Sequence, residues 1–161
     1  NIFNDNTIDE IYVSHALEHF GRRKVLNVLL EWNRILKVDG TLRIAVPDFE
    51  KVVKMYNHVN LHDLLGFLNG GQRDKYDIHY VNYDFNSIKE LLKTTGFDNI
   101  ERYDAFEFLG DKDDYSKCYM PHMDFENGEH MSLNVTCKKM SNTHCEHLIL
   151  SDNVKKFTKV I

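Results

Sequence analysis

The chain of 161 residues has two prolines, three cysteines and one tryptophan, and it has no excess of positive charge. Each scarcity excludes something. The cysteines are Cys118, Cys137 and Cys145, and none belongs to a CxxC pair. An odd, sparse set of this kind fits a reducing cytoplasm and not a disulfide framework or a thiolate zinc site. Twenty Lys and Arg stand against 25 Asp and Glu, for a formal net charge of −5. Nucleic-acid binding draws on a basic surface, so that class of partner is not expected. No apolar run approaches the roughly 20 residues that a membrane-crossing helix needs, so no membrane partner is expected either. No signal-peptide pattern opens the chain and residue 1 is Asn, which fits a fragment, a processed chain or an incomplete gene. There is no internal repeat and no low-complexity tract. Hydrophobic residues, at 42%, are sufficient for a real core, and the length suits one domain.

The stretch from Ile8 to Glu50 reads as strand, loop, helix, turn, strand. Ile8, Ile11, Tyr12 and Val13 mark a short strand. Val25, Val28, Leu29, Trp32, Ile35 and Leu36 recur at helical spacing and give one apolar stripe. Asp39-Gly40 is expected to end that helix as a turn. Thr41 to Val46 has little polar relief, as a strand covered on both faces does, and Pro47 stops it. Asp48 then caps a helix from Phe49, with Val52, Val53 and Tyr56 inward. Two strands joined by an amphipathic helix imply a parallel pair with a right-handed crossover.

Further on, Leu61, Leu64, Leu65 and Leu68 predict a short helix ended by Gly70-Gly71. Arg73 to Tyr83 reads as a surface loop. A helix over about 85–95 follows, capped by Asp84 or Asn86 and stopped at Gly96, with Ile88, Leu91 and Leu92 inward. Ile100 to Phe108 is expected to be a strand, and 111–128 irregular. Met131 to Lys138 alternates apolar and polar residues, as an antiparallel strand does. Residues 1–139 thus make the domain, and 140–161 a tail or linker. Trp32 and Tyr56 fall on apolar stripes and are expected in the core.

Several phrases resemble those of class I, Rossmann-like methyltransferases that use S-adenosylmethionine (SAM). Ser14 to Phe20 resembles the SHVLEHF segment after the family's fourth strand. Leu36-Lys37-Val38-Asp39-Gly40 stands where the family writes LKPGG, and Ile44 to Asp48 resembles the end of its fifth strand. Gly96-Phe97 resembles the AGF turn before the sixth strand, and Ser132 to Lys138 the last strand. Gly70-Gly71-Gln72 with His79 resembles the GGQ and following His of one group with the SHVLEHF…LRIAVPD signature. The resemblance covers about residues 1–139. It implies an α/β fold, a Rossmann-like sheet with helices on both faces, of which the first three strands would lie ahead of Asn1. The glycine-rich SAM loop and the ribose-binding acid would lie there too. It also implies SAM-dependent methyl transfer to a small-molecule or sugar-like acceptor as part of a longer chain, with this chain alone inactive. The alternative is an inactive methyltransferase-like piece that pairs with other chains through its exposed sheet edge.

In open α/β sheets the site lies beyond the carboxyl ends of the strands. Ser14, His15 and Ala16 are therefore expected to border SAM, and His15 is the candidate base for an acceptor that must lose a proton. His19 and Asp48 are the candidates to face the acceptor, with Gly71, Gln72 and His79 as a lid. For His19 a capping or hydrogen-bonding role competes, and for Asp48 a helix cap. Glu18 fits an amine or hydroxyl partner and equally the backbone donors of the next helix. His15 to His19 also fits H-x-x-E-H, a zinc motif of inverzincin peptidases. Two histidines at i and i+4 share a metal if they lie on one helix, whereas here a β-type run ends at His15 and no third ligand follows at helical spacing. His144-Cys145-Glu146-His147 resembles a metal clip but sits in the fading tail. No metal site is expected.

Overall fold

The computed structural model describes residues 2–122 and 124–140. Residues 141–161, with the tail and the His144–His147 cluster, lie outside the described residues. Strand β1 is Ile8–Ser14, helix α1 is Val25–Ile35 and strand β2 is Leu36–Pro47. Helices α2 (Phe49–Tyr56), α3 (Leu61–Asn69) and α4 (Phe85–Thr94) follow, then strand β3 (Phe97–Arg102) and helix α5 (Ala105–Leu109). Two-residue strands β4 (Tyr119–Met120) and β5 (Glu129–His130) pair with each other, and β6 (Ser132–Lys139) closes the described chain.

The main sheet has the order β1-β2-β6-β3. β1 and β2 run parallel, and β6 runs antiparallel to both β2 and β3. Alternation decides its two faces. Leu42, Ile44 and Val46 of β2 and Leu133, Val135 and Cys137 of β6 point to one side, where Leu29 of α1 and Ile88, Leu91 and Leu92 of α4 bury them. On the other side Arg43 stacks on Phe108 at 4.4 Å and pairs with Glu10. Tyr12 meets Phe108 there at 5.4 Å, and Asn134 donates to the Ser116 carbonyl. Segment 103–117 thus covers the second face, with α5 and a 3₁₀ turn at Tyr115–Lys117. Among the described residues β1 pairs on one side only, and no helix is long and apolar enough to cross a membrane.

Three expectations need correction. The Asp39-Gly40 turn is absorbed into β2 as a bulge. Ile8 pairs with Leu36 and Glu10 with Thr41, so three extra residues loop out, and Asp39 takes φ +62° to turn the chain. The strand expected over 100–108 ends at Arg102, because Asp104 accepts the backbone N–H groups of Phe106 and Glu107 and starts α5. On α2 the inward stripe is Val52, Met55 and, beyond the helix, Val59, so Val53 and Tyr56 turn outward, at 52% and 59% exposure. Trp32 packs against the core while half-buried. The cap signals hold: Asp48 starts α2, and Asp84 with Ser87 forms a reciprocal capping box on α4.

Candidate functional site

β1 ends at Ser14, β2 at Pro47, and antiparallel β6 starts beside them, pairing Pro47 with Ser132. The carboxyl ends of two parallel strands and the start of β6 therefore share one end of the sheet. A cavity of about 740 Å³ opens there, lined among others by His15, Pro47, His19, His79, Tyr115 and Cys118. Phe67 of α3 and Met120 of β4 give it apolar walls.

His15 sits at the turn out of β1 with φ +46°, a left-handed conformation that a residue with a Cβ adopts at a cost. Its N–H donates to the Ala45 carbonyl at 2.8 Å, which fixes the turn. Its Nε2 lies 2.6 Å from Ser132 Oγ, and that hydroxyl donates to the Tyr115 carbonyl at 2.9 Å. Ser132 has one proton for two neighbours, so the direction of the His15–Ser132 bond follows the tautomer of the ring. Nδ1 faces Glu18 Oε1 at 3.3 Å. Ser132, His15 and Glu18 thus form one polar chain, of which His15 lines the cavity.

Leu17–His19 is a single 3₁₀ turn. Leu17 fills the core and Glu18 is fully buried. Both Glu18 carboxylate oxygens are without a hydrogen-bond donor, and Oε1 stands 3.9 Å from His79 Nε2. The loop after α3 brings His79 to this place. Gly70 takes φ +73°, and a Cβ there would sit 2.5 Å from the Asp77 carbonyl oxygen, so only glycine lets the loop fold back. The Gln72 N–H then donates to Asp77, His79 N–H to Asn69, and Tyr80 N–H to the Glu18 carbonyl. His79 Nδ1 bonds the Phe67 carbonyl at 2.9 Å and His19 Nδ1 the Ile78 carbonyl at 3.1 Å. The two rings meet edge to face with centroids 4.8 Å apart. Burial pushes the His79 pKa below the usual histidine range, outweighing the Phe67 bond and the Glu18 charge, so this ring is neutral at pH 7. Burial likewise raises the Cys118 thiol, and both burial and the Glu18 charge raise the Tyr83 phenol.

No protein-family model matches the chain, and no curated protein matches it in sequence. Solved structures do match. A SAM-dependent methyltransferase from Archaeoglobus fulgidus aligns with 85% of this chain and 62% of its own, at 16% identity and TM-score 0.50. The Burkholderia thailandensis 1,6-didemethyltoxoflavin-N1-methyltransferase, solved with S-adenosylhomocysteine, aligns with 88% of this chain and 48% of its own, at 13% identity and TM-score 0.50. Human N-acetylserotonin methyltransferase, solved with SAM, aligns with 88% of this chain and 32% of its own, at 11% identity and TM-score 0.52. This is the Rossmann-like methyltransferase fold. The chain spans less than two thirds of the length of each of these structures.

Within the methyltransferase fold, His15, His19, Gly71 and His79 all line the cavity. The other four candidates sit elsewhere. Ser14 gives its hydroxyl to Asp114 at 2.6 Å, and Ala16 offers its carbonyl to the His19 N–H. Gln72 is exposed, its amide reaching the Asn69 carbonyl. Asp48 is buried as a cap: Oδ1 accepts from the Glu50 N–H and Oδ2 holds Arg102 at 3.1 Å. Both of its oxygens are engaged away from the cavity. Sequence reasoning did not single out Ser132, Cys118 or Tyr115. The alternation of the last strand assigns Ser132 a face, but its place beside Pro47 comes from the pairing of β6 with β2. Nothing local marked Tyr115 or Cys118.

Proposed function

We propose that the protein carries the acceptor side of a SAM-dependent methyl-transfer site whose acceptor is a small molecule or a sugar-like hydroxyl compound. The observation that carries the reading is the 740 Å³ cavity at the carboxyl ends of β1 and β2, in a fold shared with methyltransferases. Ligands bind at that end of such sheets. The apolar walls from Phe67 and Met120 exclude water, and His15, His19 and His79 offer directed polar partners to an acceptor.

The chemistry asks little covalent work of the protein. SAM, when bound, would supply its sulfonium methyl to an acceptor oxygen and leave as neutral S-adenosylhomocysteine. The acceptor proton must go to a base. His15, which lines the cavity, would take it in the tautomer that carries its own proton on Nδ1, 3.3 Å from Glu18, and leaves Nε2 free to accept. An acceptor hydroxyl would take the place of the Ser132 oxygen at Nε2.

Calorimetry of the natural protein with SAM and with S-adenosylhomocysteine tests the reading. Micromolar binding of both is expected, and His15→Ala should lower kcat with little change in KM. A natural protein that binds neither nucleoside would sink the proposal. It would favour the second reading, a module that docks through the one-sided edge of β1, which would then show as association in solution.

A further inference from the structure

The turn after β1 and the loop after α3 bring together a carboxylate and two imidazoles, each able to offer a lone pair. Glu18 presents two buried oxygens without a hydrogen-bond donor, Oε1 lying 3.3 Å from His15 Nδ1 and 3.9 Å from His79 Nε2. His19 and His79 spend their Nδ1 atoms on backbone carbonyls, which fixes the proton there and leaves each Nε2 with an open lone pair. A carbonyl holding Nδ1 is the support that metal-bound histidines have. One ligand atom from each of Glu18, His19 and His79 lies within 4.8 Å of the others. Buried acceptors that face one another repel unless something positive lies between them. The Tyr83 hydroxyl is also buried without a partner and makes no hydrogen bond to any of the three.

We propose that Glu18, His19 and His79 bind one zinc-class divalent cation. Two imidazoles and one carboxylate suit Zn²⁺ and its neighbours, whereas Ca²⁺ and Mg²⁺ take oxygen ligands. Metal–ligand lengths of about 2.0–2.2 Å place tetrahedral ligands roughly 3.4 Å apart, so the cluster closes by about 1 Å on binding. His19 and His79 line the cavity, so the fourth position opens toward it. The sequence hides this site because its third ligand, His79, comes 60 positions after His19 and is delivered by the Gly70 fold-back. The inference stands apart from methyl transfer, since failure to bind SAM would leave the cluster unchanged.

The test is cation binding by the natural protein, tag removed and stripped with a chelator. Zn²⁺ is titrated in competition with a chromophoric chelator, and Co²⁺ is followed by its visible absorption. One equivalent per chain is expected. His79→Ala and Glu18→Gln, each checked for native circular dichroism, should weaken binding by at least about tenfold. A His144→Ala/His147→Ala double variant, which disables the other histidine cluster, should bind as the parent does. Substoichiometric binding by the parent overturns the proposal. So does parental affinity in a folded His79→Ala protein, or loss of the cation in the double variant. Should Glu18→Gln not fold, His79→Ala and His19→Gln decide the matter.

Discussion

Asp114 should hold the covering segment to the edge of the sheet, and its removal can be priced from three contacts. Its Oδ1 accepts from the Tyr12 hydroxyl at 2.7 Å, the Ser14 hydroxyl at 2.6 Å and the Ser116 N–H at 2.8 Å. Hydrogen bonds to a charged group contribute about 1.5–3 kcal/mol each when nothing replaces them. Asp114 is only half-buried, so in Asp114→Ala the two freed hydroxyls return largely to water, and the expected loss is about 2 kcal/mol in total. For a domain of this size that is roughly 4–8 °C in Tm. The carboxyl also titrates. Burial alone would raise its pKa, but the bonds from Ser14, Ser116 and Tyr12 outweigh burial and leave it below the ordinary value of 3.8. A folded pKa below the unfolded one means that the unfolded chain binds the proton more tightly. The stabilisation is therefore complete above the ordinary value and is lost as pH falls through the folded one. Urea unfolding followed by fluorescence of the single tryptophan, Trp32, should show the full difference at pH 7 and a shrinking one below about pH 4. A difference under about 0.5 kcal/mol at pH 7, the level of a plain surface substitution, would refute the account. A difference that persists undiminished at pH 3 would refute its electrostatic part.

Two further outcomes probe the core. Leu29, fully buried between α1 and the sheet, should cost about 3 kcal/mol when cut to alanine, read as a shift in urea midpoint at unchanged slope. The Cys137 thiol is pushed far up by burial, so of the two described cysteines alkylation at pH 8, mapped by mass spectrometry, should label Cys118 in the cavity wall before Cys137, which reacts only on unfolding.

Legibility in the sequence followed the range of the forces involved. The β1–α1–β2 unit was readable because each piece is fixed by its own periodicity, and the caps at Asp48 and Asp84 because a side chain bonds its own backbone two or three residues on. The faces of α2 were not, since which stripe is inward depends on α3, a later element. Nor was the end of β3: residues 103–108 have strand-like aromatics, but Phe108 turns under Arg43 as part of a helix that Asp104 starts. At the site, His15, His19 and His79 stood out by type and by phrase, while Ser132 and Tyr115 matter only because β6 runs antiparallel beside β2. No window of sequence contains that fact.

His15 shows why the site is more than an accident of packing. A left-handed φ on a residue with a Cβ costs on the order of 1 kcal/mol or more, and glycine would remove the cost. A glycine, however, could not reach Ser132 or stand against Glu18. The turn it makes is what sends Leu17 into the core and leaves Glu18 under the His79 loop, where the Glu18 carbonyl takes the Tyr80 N–H. One strained residue thus joins β1, β6 and the loop after α3. Fold stability alone gives no reason to put an imidazole at that turn or a buried carboxylate three residues later. The two departures from local preference meet at 3.3 Å beside the cavity that His15 lines, and departures of that kind concentrate where a protein works.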